Sequence, residues 1–372
     1  MVTVTKPTIY QNNRLKMFRS ESYSYNFDLR SGHFQRWGKT IEDDPVWSPY
    51  SPEILDVEIS AKAGCPLRCS YCYKGNNIGG TPTNMSFATF KTIFDKLPHV
   101  ITKSGKKIFF VGQIAFGITS VNTNPDLFEI FDYCRQNSVI PNVTINGMDA
   151  LSDETIRRLV FTCGAIAVSI NKTNYHKGVQ LIQKMTDYGA TQINMHVVIA
   201  SETIDYVYDI INGIKHDPRL SRLNAIVFLG LKPKNRGSDY KVLPEGEYTR
   251  LIKYCLEKQI NFGFDSCSCG HFIKSIQSLE NLSEIRKKEL YQLAEPCESG
   301  NFSAYVDVTG KYWHCSFGEN NENGGGIDLL KINDFHKEVW MSEQLINWRR
   351  CLFDLKRECP LYPEIRSNRK NI

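Results

Sequence analysis

The stretch "AKAGCPLRCSYCYKG", Ala61–Gly75, holds three cysteines, Cys65, Cys69 and Cys72, spaced C-x3-C-x2-C. A closed zinc site takes four protein ligands, and no fourth Cys or His stands nearby in sequence, although a distant one would serve. The alternative is a [4Fe–4S] cluster held by three thiolates, which leaves one iron open to a small molecule. The triad follows "DVEIS" (56–60), a short apolar strand pattern, and a rhythm starts there. Further strand patterns lie at 107–111 ("KIFFV"), 142–145, 165–170, 192–199 and 225–231. Between them run amphipathic helices: "SFATFKTIFDKL", "PDLFEIFDYCRQN", "SDETIRRLVF" with Ser152 as N-cap, "YHKGVQLIQKMTDYG" closed by Gly189, and "IDYVYDIINGI". Six strands alternating with helices predict an α/β fold with a parallel sheet, closed partly as a barrel or open and doubly wound. In a barrel, the loops leaving the C-terminal ends of the strands carry the chemistry, and the cysteine loop is one of these.

Composition agrees with an ordinary globular protein. The chain has 372 residues, 41% hydrophobic and 23% charged, with a net charge of +5 that permits an anionic partner without demanding one. Twelve cysteines in a chain this long, without an apolar leading segment or a membrane-length apolar run, predict a reduced, cytoplasmic protein whose thiols serve metal or catalysis. Cys134, Cys163 and Cys255 fall in apolar patterns and read as packing residues.

"CPLRCSYCY", with aromatic Tyr71 ahead of the last cysteine, resembles the signature of the radical S-adenosylmethionine (radical SAM) enzymes. The resemblance extends over about 53–235. It implies a partial (β/α)6 TIM-like barrel in which the open iron binds the amino and carboxylate groups of SAM. Reduction then cleaves SAM to methionine and a 5′-deoxyadenosyl radical that abstracts a substrate hydrogen. It also implies a reductant such as flavodoxin or ferredoxin. In "VGQIAFG" (111–117), Gly112 and Gln113 match the family's glycine-rich turn after the second strand, which meets the SAM amino group. Here Gln replaces the usual acid and the proline is absent. "TINGMDAL" resembles a Thr-x-Asn-Gly stretch at Thr144, Asn146 and Gly147. Ser169 and Asn171 stand where polar groups of the family meet SAM, local turn bonding being the other reading. His196, mid-strand, reads first as a core or lumen histidine and second as a substrate contact.

A second cysteine group runs from Cys297 to Cys315, C-x12-G-x4-C with Gly310 as the glycine. A hairpin turning at Asp307–Gly310 would bring the two thiolates together. The spacing resembles the opening of SPASM and twitch domains, which hold auxiliary [4Fe–4S] clusters. The remaining cysteines suffice for one such cluster, with implied ligands Cys267, Cys297, Cys315 and Cys359, and Cys269 and Cys351 in reserve. A zinc site of the same four is the alternative.

The expected organisation is an N-terminal extension with a hairpin near Ser31–Gly32 (1–52), a radical SAM partial barrel (53–236) and a small α+β auxiliary-cluster domain (237–372). The expected substrate is a peptide or protein, modified by crosslinking, epimerisation or oxidation. The alternatives are a nucleoside, nucleic acid or other small molecule, or a non-enzymatic iron–sulfur or zinc scaffold. Nucleic acid is not favoured: "LKPKNRG" (231–237) and "NWRR" (347–350) are the basic runs, and such runs are usually solvated faces.

Overall fold

Alternation of side chains along a strand gives each sheet two faces, and here the two faces have different chemistry. The computed structural model describes residues 7–322 and 324–367. The chain opens with an antiparallel sheet of β1 (Thr8–Gln11), β2 (Leu15–Arg19), β3 (Ser24–Asp28) and β4 (Phe34–Trp37). The expected hairpin at Ser31–Gly32 joins β3 to β4, with Phe27 opposite Phe34 and Gly32 at φ +73°. This sheet packs Phe18, Tyr25 and Phe27 against Phe110 and Ile140. Fully buried Lys16 donates to the carbonyls of Phe109 (3.1 Å) and Val111 (3.0 Å). Burial, with Lys106 nearby, pushes its amine down to about 7.

The barrel begins at β5 (Ile54–Glu58). Next come two short ribbons, β6 (Ser60–Ala61) with β7 (Thr83–Asn84) and β8 (His99–Ile101) with β9 (Lys107–Phe109). The main strands follow as β10 (Gln113–Gly117), β11 (Ile140–Asn146), β12 (Ile166–Ser169), β13 (Ile193–Ile199), β14 (Ala225–Gly230) and β15 (Phe262–Phe264). The C-terminal region adds β16 (Ser303–Val306), β17 (Lys311–Trp313) and β18 (Gly325–Asp328). One ten-stranded sheet takes the order β15-β14-β13-β12-β11-β10-β5-β16-β17-β18. Pairing is parallel from β15 through β16 and antiparallel beyond it. β16 lies directly beside the first barrel strand, Tyr305 opposite Asp56, so the C-terminal strands extend the barrel sheet.

One strand differs from expectation. "KIFFV" does not supply the second barrel strand: its residues 107–109 pair only with β8. The second barrel strand is β10, in the stretch expected to be a turn. Both runs are short and apolar, and only Gly112 separates them. Phe109, Phe110 and Val111 are buried without joining the main sheet, Phe110 against the N-terminal sheet and Phe109 with its ring centroid 4.5 Å from that of Phe94. Local apolarity cannot distinguish the two roles.

Helices α1 (Phe87–Phe94), α2 (Leu127–Gln136), α3 (Asp153–Thr162), α4 (Tyr175–Asp187) and α5 (Ile204–His216) cover the outside. Ser152 caps α3 by accepting from the Thr155 amide, and Ser86 caps α1 in the same way. Leu55, Val57, Ile114, Phe116, Val143, Ile145, Val168, Met195, Val197 and Phe228 face these helices in one core. Cys134, Cys163 and Cys255 are buried in it, as expected. The inner face is small and polar. Asp56 stands beside Ala115 and then Asn142; Gly117 beside Thr144, Ala167 and Asn194; Asn146 beside Ser169, His196 and Val227. Such a lining is suited to a ligand rather than to interlocking apolar layers.

The helices must also approach closely. A Cβ on Gly147 would lie 2.9 Å from the Gly178 Cα in α4 and 2.7 Å from the Asn174 amide nitrogen. Gly147→Ala therefore destabilises the fold by about 1–3 kcal/mol. Urea unfolding monitored by circular dichroism should show the midpoint fall; an unchanged midpoint contradicts the close packing.

Candidate active site at the mouth of the barrel

The ribbon of β6 and β7 pinches the segment 62–82 into a closed loop at the C-terminal end of β5. Inside it, the Cys65 amide donates to the Asn77 carbonyl (3.1 Å), the Asn77 amide to Lys62 (2.8 Å) and the Cys72 amide to Cys69 (3.2 Å). The path demands left-handed backbone at Lys62 and Arg68, φ +70° and +40°. At Gly64, φ is +79°, and a Cβ there would sit 2.9 Å from the Thr123 hydroxyl.

The three thiols sit close enough to perturb one another. Burial first, then Cys72 and Cys65, push the Cys69 thiol up to about 12. Cys65 is raised by burial, against amide hydrogen bonds from Arg68 and Leu67, with Cys72 and Asp149 adding to the rise. The Asn171 amide donates to Cys69 Sγ at 3.8 Å. Three thiols with N–H donors aimed at two of them form a donor set suited to an iron–sulfur cluster, whose sulfurs such bonds stabilise. Among the described residues, no three Cys, His, Asp or Glu side chains close up as the ligands of one metal ion.

The expected contacts for SAM divide. Tyr71 is placed against Cys69 and Asn171, which both touch its hydroxyl, with its ring edge-on to Tyr240 at 5.8 Å. Asn171 and Ser169 also lie at this end. Asn146 lies here too, but its side chain is committed: it donates to the Thr119 carbonyl (3.0 Å) and to Asp149 (2.9 Å), and accepts from the Met148 amide. Gly112 and Gln113 are misplaced by the sequence reading. Because β10 starts at Gln113, they stand at its N-terminal end, beside Ile54 and Ile140, while the cysteine loop leaves the other end beside Gly117. Gly112 abuts the Phe27 ring and Gln113 accepts from Asn142. The loop that does follow β10 carries Thr119 and Ser120, which the sequence reading missed. Asp149 was missed as well; it accepts from the Val121 amide (3.0 Å) and ties that loop to Asn146. His196 faces the lumen, where burial lowers it to about 4 against Asp265.

Cys297 and Cys315 of the second cysteine group flank the β16–β17 hairpin. The Gly310 amide donates to Asp307 (2.9 Å) and closes the β16–β17 turn. Cys297 is pushed up to about 12 by burial and then by Cys315 and Cys359, and Cys315 to about 11 by burial and Cys359. Cys267 is raised by burial and by Asp265, Cys297 and Cys359, against Lys232. These four thiols therefore share one neighbourhood. Cys351 is exposed on α9 (Glu343–Asp354), a late helix that follows α6 (Glu245–Lys258), α7 (Cys269–Ser278) and α8 (Glu284–Tyr291). Cys269 is buried at the start of α7.

The basic run 231–237 is not a solvated face. Lys232 is buried and pairs with Asp265 at 2.9 Å, two residues before Cys267. Lys234 donates to the carbonyls of Phe317 (3.1 Å) and Glu319 (2.9 Å), just after Cys315. Arg236 donates to the carbonyls of Cys69 (3.1 Å) and Asn76 (2.8 Å). Lys232, Lys234 and Arg236, on one short segment that turns into a 3-10 helix at Asn235–Asp239, thus reach both cysteine sites. In the other basic run, Arg349 is buried against the rings of Trp47 and Trp340. A cavity of about 660 Å³ between Leu29, Arg135, Gly164 and Gln192 opens at the opposite end of the strands.

The chain shares its fold with solved structures on which it superposes over 80–86% of its length. It is similar to SuiB of Streptococcus suis bound to the precursor peptide SuiA, at 13% identity and TM-score 0.59, over 80% of this chain and 66% of that one. It is also similar to SuiB bound to S-adenosylmethionine, at 14% identity and TM-score 0.53, over 86% and 69%. The chain thus spans about two thirds of the length of SuiB. No family model and no curated protein matches its sequence. Among the described residues no helix is long and apolar enough to cross a membrane.

Arg236→Met removes its three hydrogen bonds to the cysteine loop, to the carbonyls of Cys69 and Asn76 and to Asn77 Oδ1. Amide hydrogen exchange at 69–76 should accelerate, and anaerobically loaded protein should lose iron during dialysis faster than the parent. Unchanged exchange and retention would show that the loop holds its shape without Arg236.

Proposed function

We propose that this protein holds a [4Fe–4S] cluster on Cys65, Cys69 and Cys72, cleaves SAM reductively there, and uses the resulting radical to take a hydrogen from a peptide or protein. The observation that carries the reading is three thiols on one loop at the C-terminal end of β5, close enough to act on one another's charge, in a fold shared with a SAM-bound structure. When bound, the cluster and SAM would supply the electron and the 5′-deoxyadenosyl radical.

The chain's own residues supply the setting. Asn171 and the amides of Leu67 and Arg68 hold the thiolates' charge. Tyr71 covers Cys69, and the inner face of the sheet leaves room for substrate. Cys267, Cys297, Cys315 and Cys359 are the ligands proposed for an auxiliary [4Fe–4S] cluster, with a flavodoxin or ferredoxin as reductant. The peptide is favoured because the SuiB structure that superposes here carries a precursor peptide. The burial of Lys232 and Arg349 removes two of the cations a nucleic-acid face would need.

Two cluster sites predict about eight irons per chain, four for each [4Fe–4S] unit. Replacing Cys65, Cys69 and Cys72 together by Ala should halve the iron and abolish release of 5′-deoxyadenosine from SAM and a strong reductant. Undiminished release would refute the assignment. Cys359→Ser should lower iron in that triple variant, whereas Cys351→Ser should not. Zinc instead of iron in the triple variant would mean that the C-terminal cysteines hold no auxiliary cluster.

A further inference from the structure

Strand alternation turns Asp56 and Glu58 toward the barrel interior while Leu55 and Val57 pack outward. The two carboxylates then differ. Glu58 is satisfied by Lys74 (3.0 Å) and by the Tyr305 hydroxyl (3.0 Å). Across the sheet Asp265 is matched by Lys232. Asp56 has no hydrogen bond or ion pair among the described residues, and burial alone acts on it, raising its carboxyl to about 7. Its register neighbours are Ala115, whose methyl leaves space, and Tyr305, whose hydroxyl is already bound to Glu58. Among the described residues Asp56 is thus an inward carboxylate without a cation, in a chain whose overall charge is +5.

We propose that Asp56 is a specificity residue that receives a cationic group of the substrate, a primary ammonium or a guanidinium, inside the barrel. Asp56 is half-buried on the inner face, and a carboxylate there is desolvated further when substrate fills the barrel unless a cation and hydrogen-bond donors meet it; a bound ammonium supplies both. The inference rests on the peptide reading above and adds to it the charge of one side chain of that peptide.

The test uses anaerobically reconstituted protein with SAM bound and two pools of blocked pentapeptides. The pools are random except for a central lysine in one and its uncharged isostere norleucine in the other. The wild-type protein should bind the lysine pool about tenfold more tightly, a difference of about 1.4 kcal/mol. Asp56→Asn should erase that ratio by weakening the lysine pool alone. Asp56→Glu, which keeps the charge, should retain part of the ratio and serves if the Asn variant misfolds. A wild-type ratio near one, no binding of the lysine pool, or a ratio that survives in the Asn variant overturns the proposal. Loss of SAM binding in the Asn variant would assign the carboxylate to SAM and overturn it too. Release of 5′-deoxyadenosine is measured separately. Its absence from the wild-type protein would remove the radical reading, while the lysine-to-norleucine ratio alone decides the role of Asp56.

Discussion

The buried pair Lys232–Asp265 anchors the segment on which both cysteine sites depend. Burial alone would drive the Lys232 ammonium toward its neutral form, but Asp265 and the Cys267 thiol reverse that and keep it charged. Such a pair gains little net stability, because desolvation offsets most of the attraction. Its consequence is positional. With Lys232 fixed just beyond β14, Lys234 and then Arg236, in the 3-10 turn Asn235–Asp239, reach the loops after Cys315 and Cys69. A shift of this one segment would move both sets of thiols.

A second link joins the same regions from the other side. Lys74, two residues beyond Cys72, meets Glu58 on the first barrel strand, Tyr305 on β16 and Glu319 beyond Cys315. Burial lowers the Lys74 ammonium and the neighbouring carboxylates outweigh it, so the cation stays charged. Direct pairing of β16 with β5 supplies the backbone for this arrangement. The first cysteine loop and the C-terminal strands are thereby parts of one rim around a polar interior.

The barrel was legible in the sequence because β5 and β11 through β14 are apolar runs separated by amphipathic helices, α1 and α3 with serine caps, and each signal is local. That Cys65, Cys69 and Cys72 share one loop was legible from spacing, and so was the hairpin that Cys297 and Cys315 flank. The errors came where partners are distant. β10 was hidden behind an equally apolar run, which displaced Gly112 and Gln113 to the wrong end of a strand. The pairing of β16 with β5 spans most of the chain and leaves no local mark. Lys232, Lys234 and Arg236 looked like a solvated charge run, since a sequence shows a charge and not what it faces. Asp149 and Thr119 carried no signal beyond ordinary loop composition.

The central claim is that one cysteine set leaves an iron open to SAM while the other is closed by four thiolates. Electron paramagnetic resonance of the reduced, reconstituted protein with and without SAM tests it directly. The account predicts two [4Fe–4S] signals, of which SAM shifts one; the signal that remains after loss of Cys65, Cys69 and Cys72 should be the one SAM leaves unchanged. A SAM-induced shift in the variant lacking those three cysteines, or no shift in the wild-type protein, would contradict it.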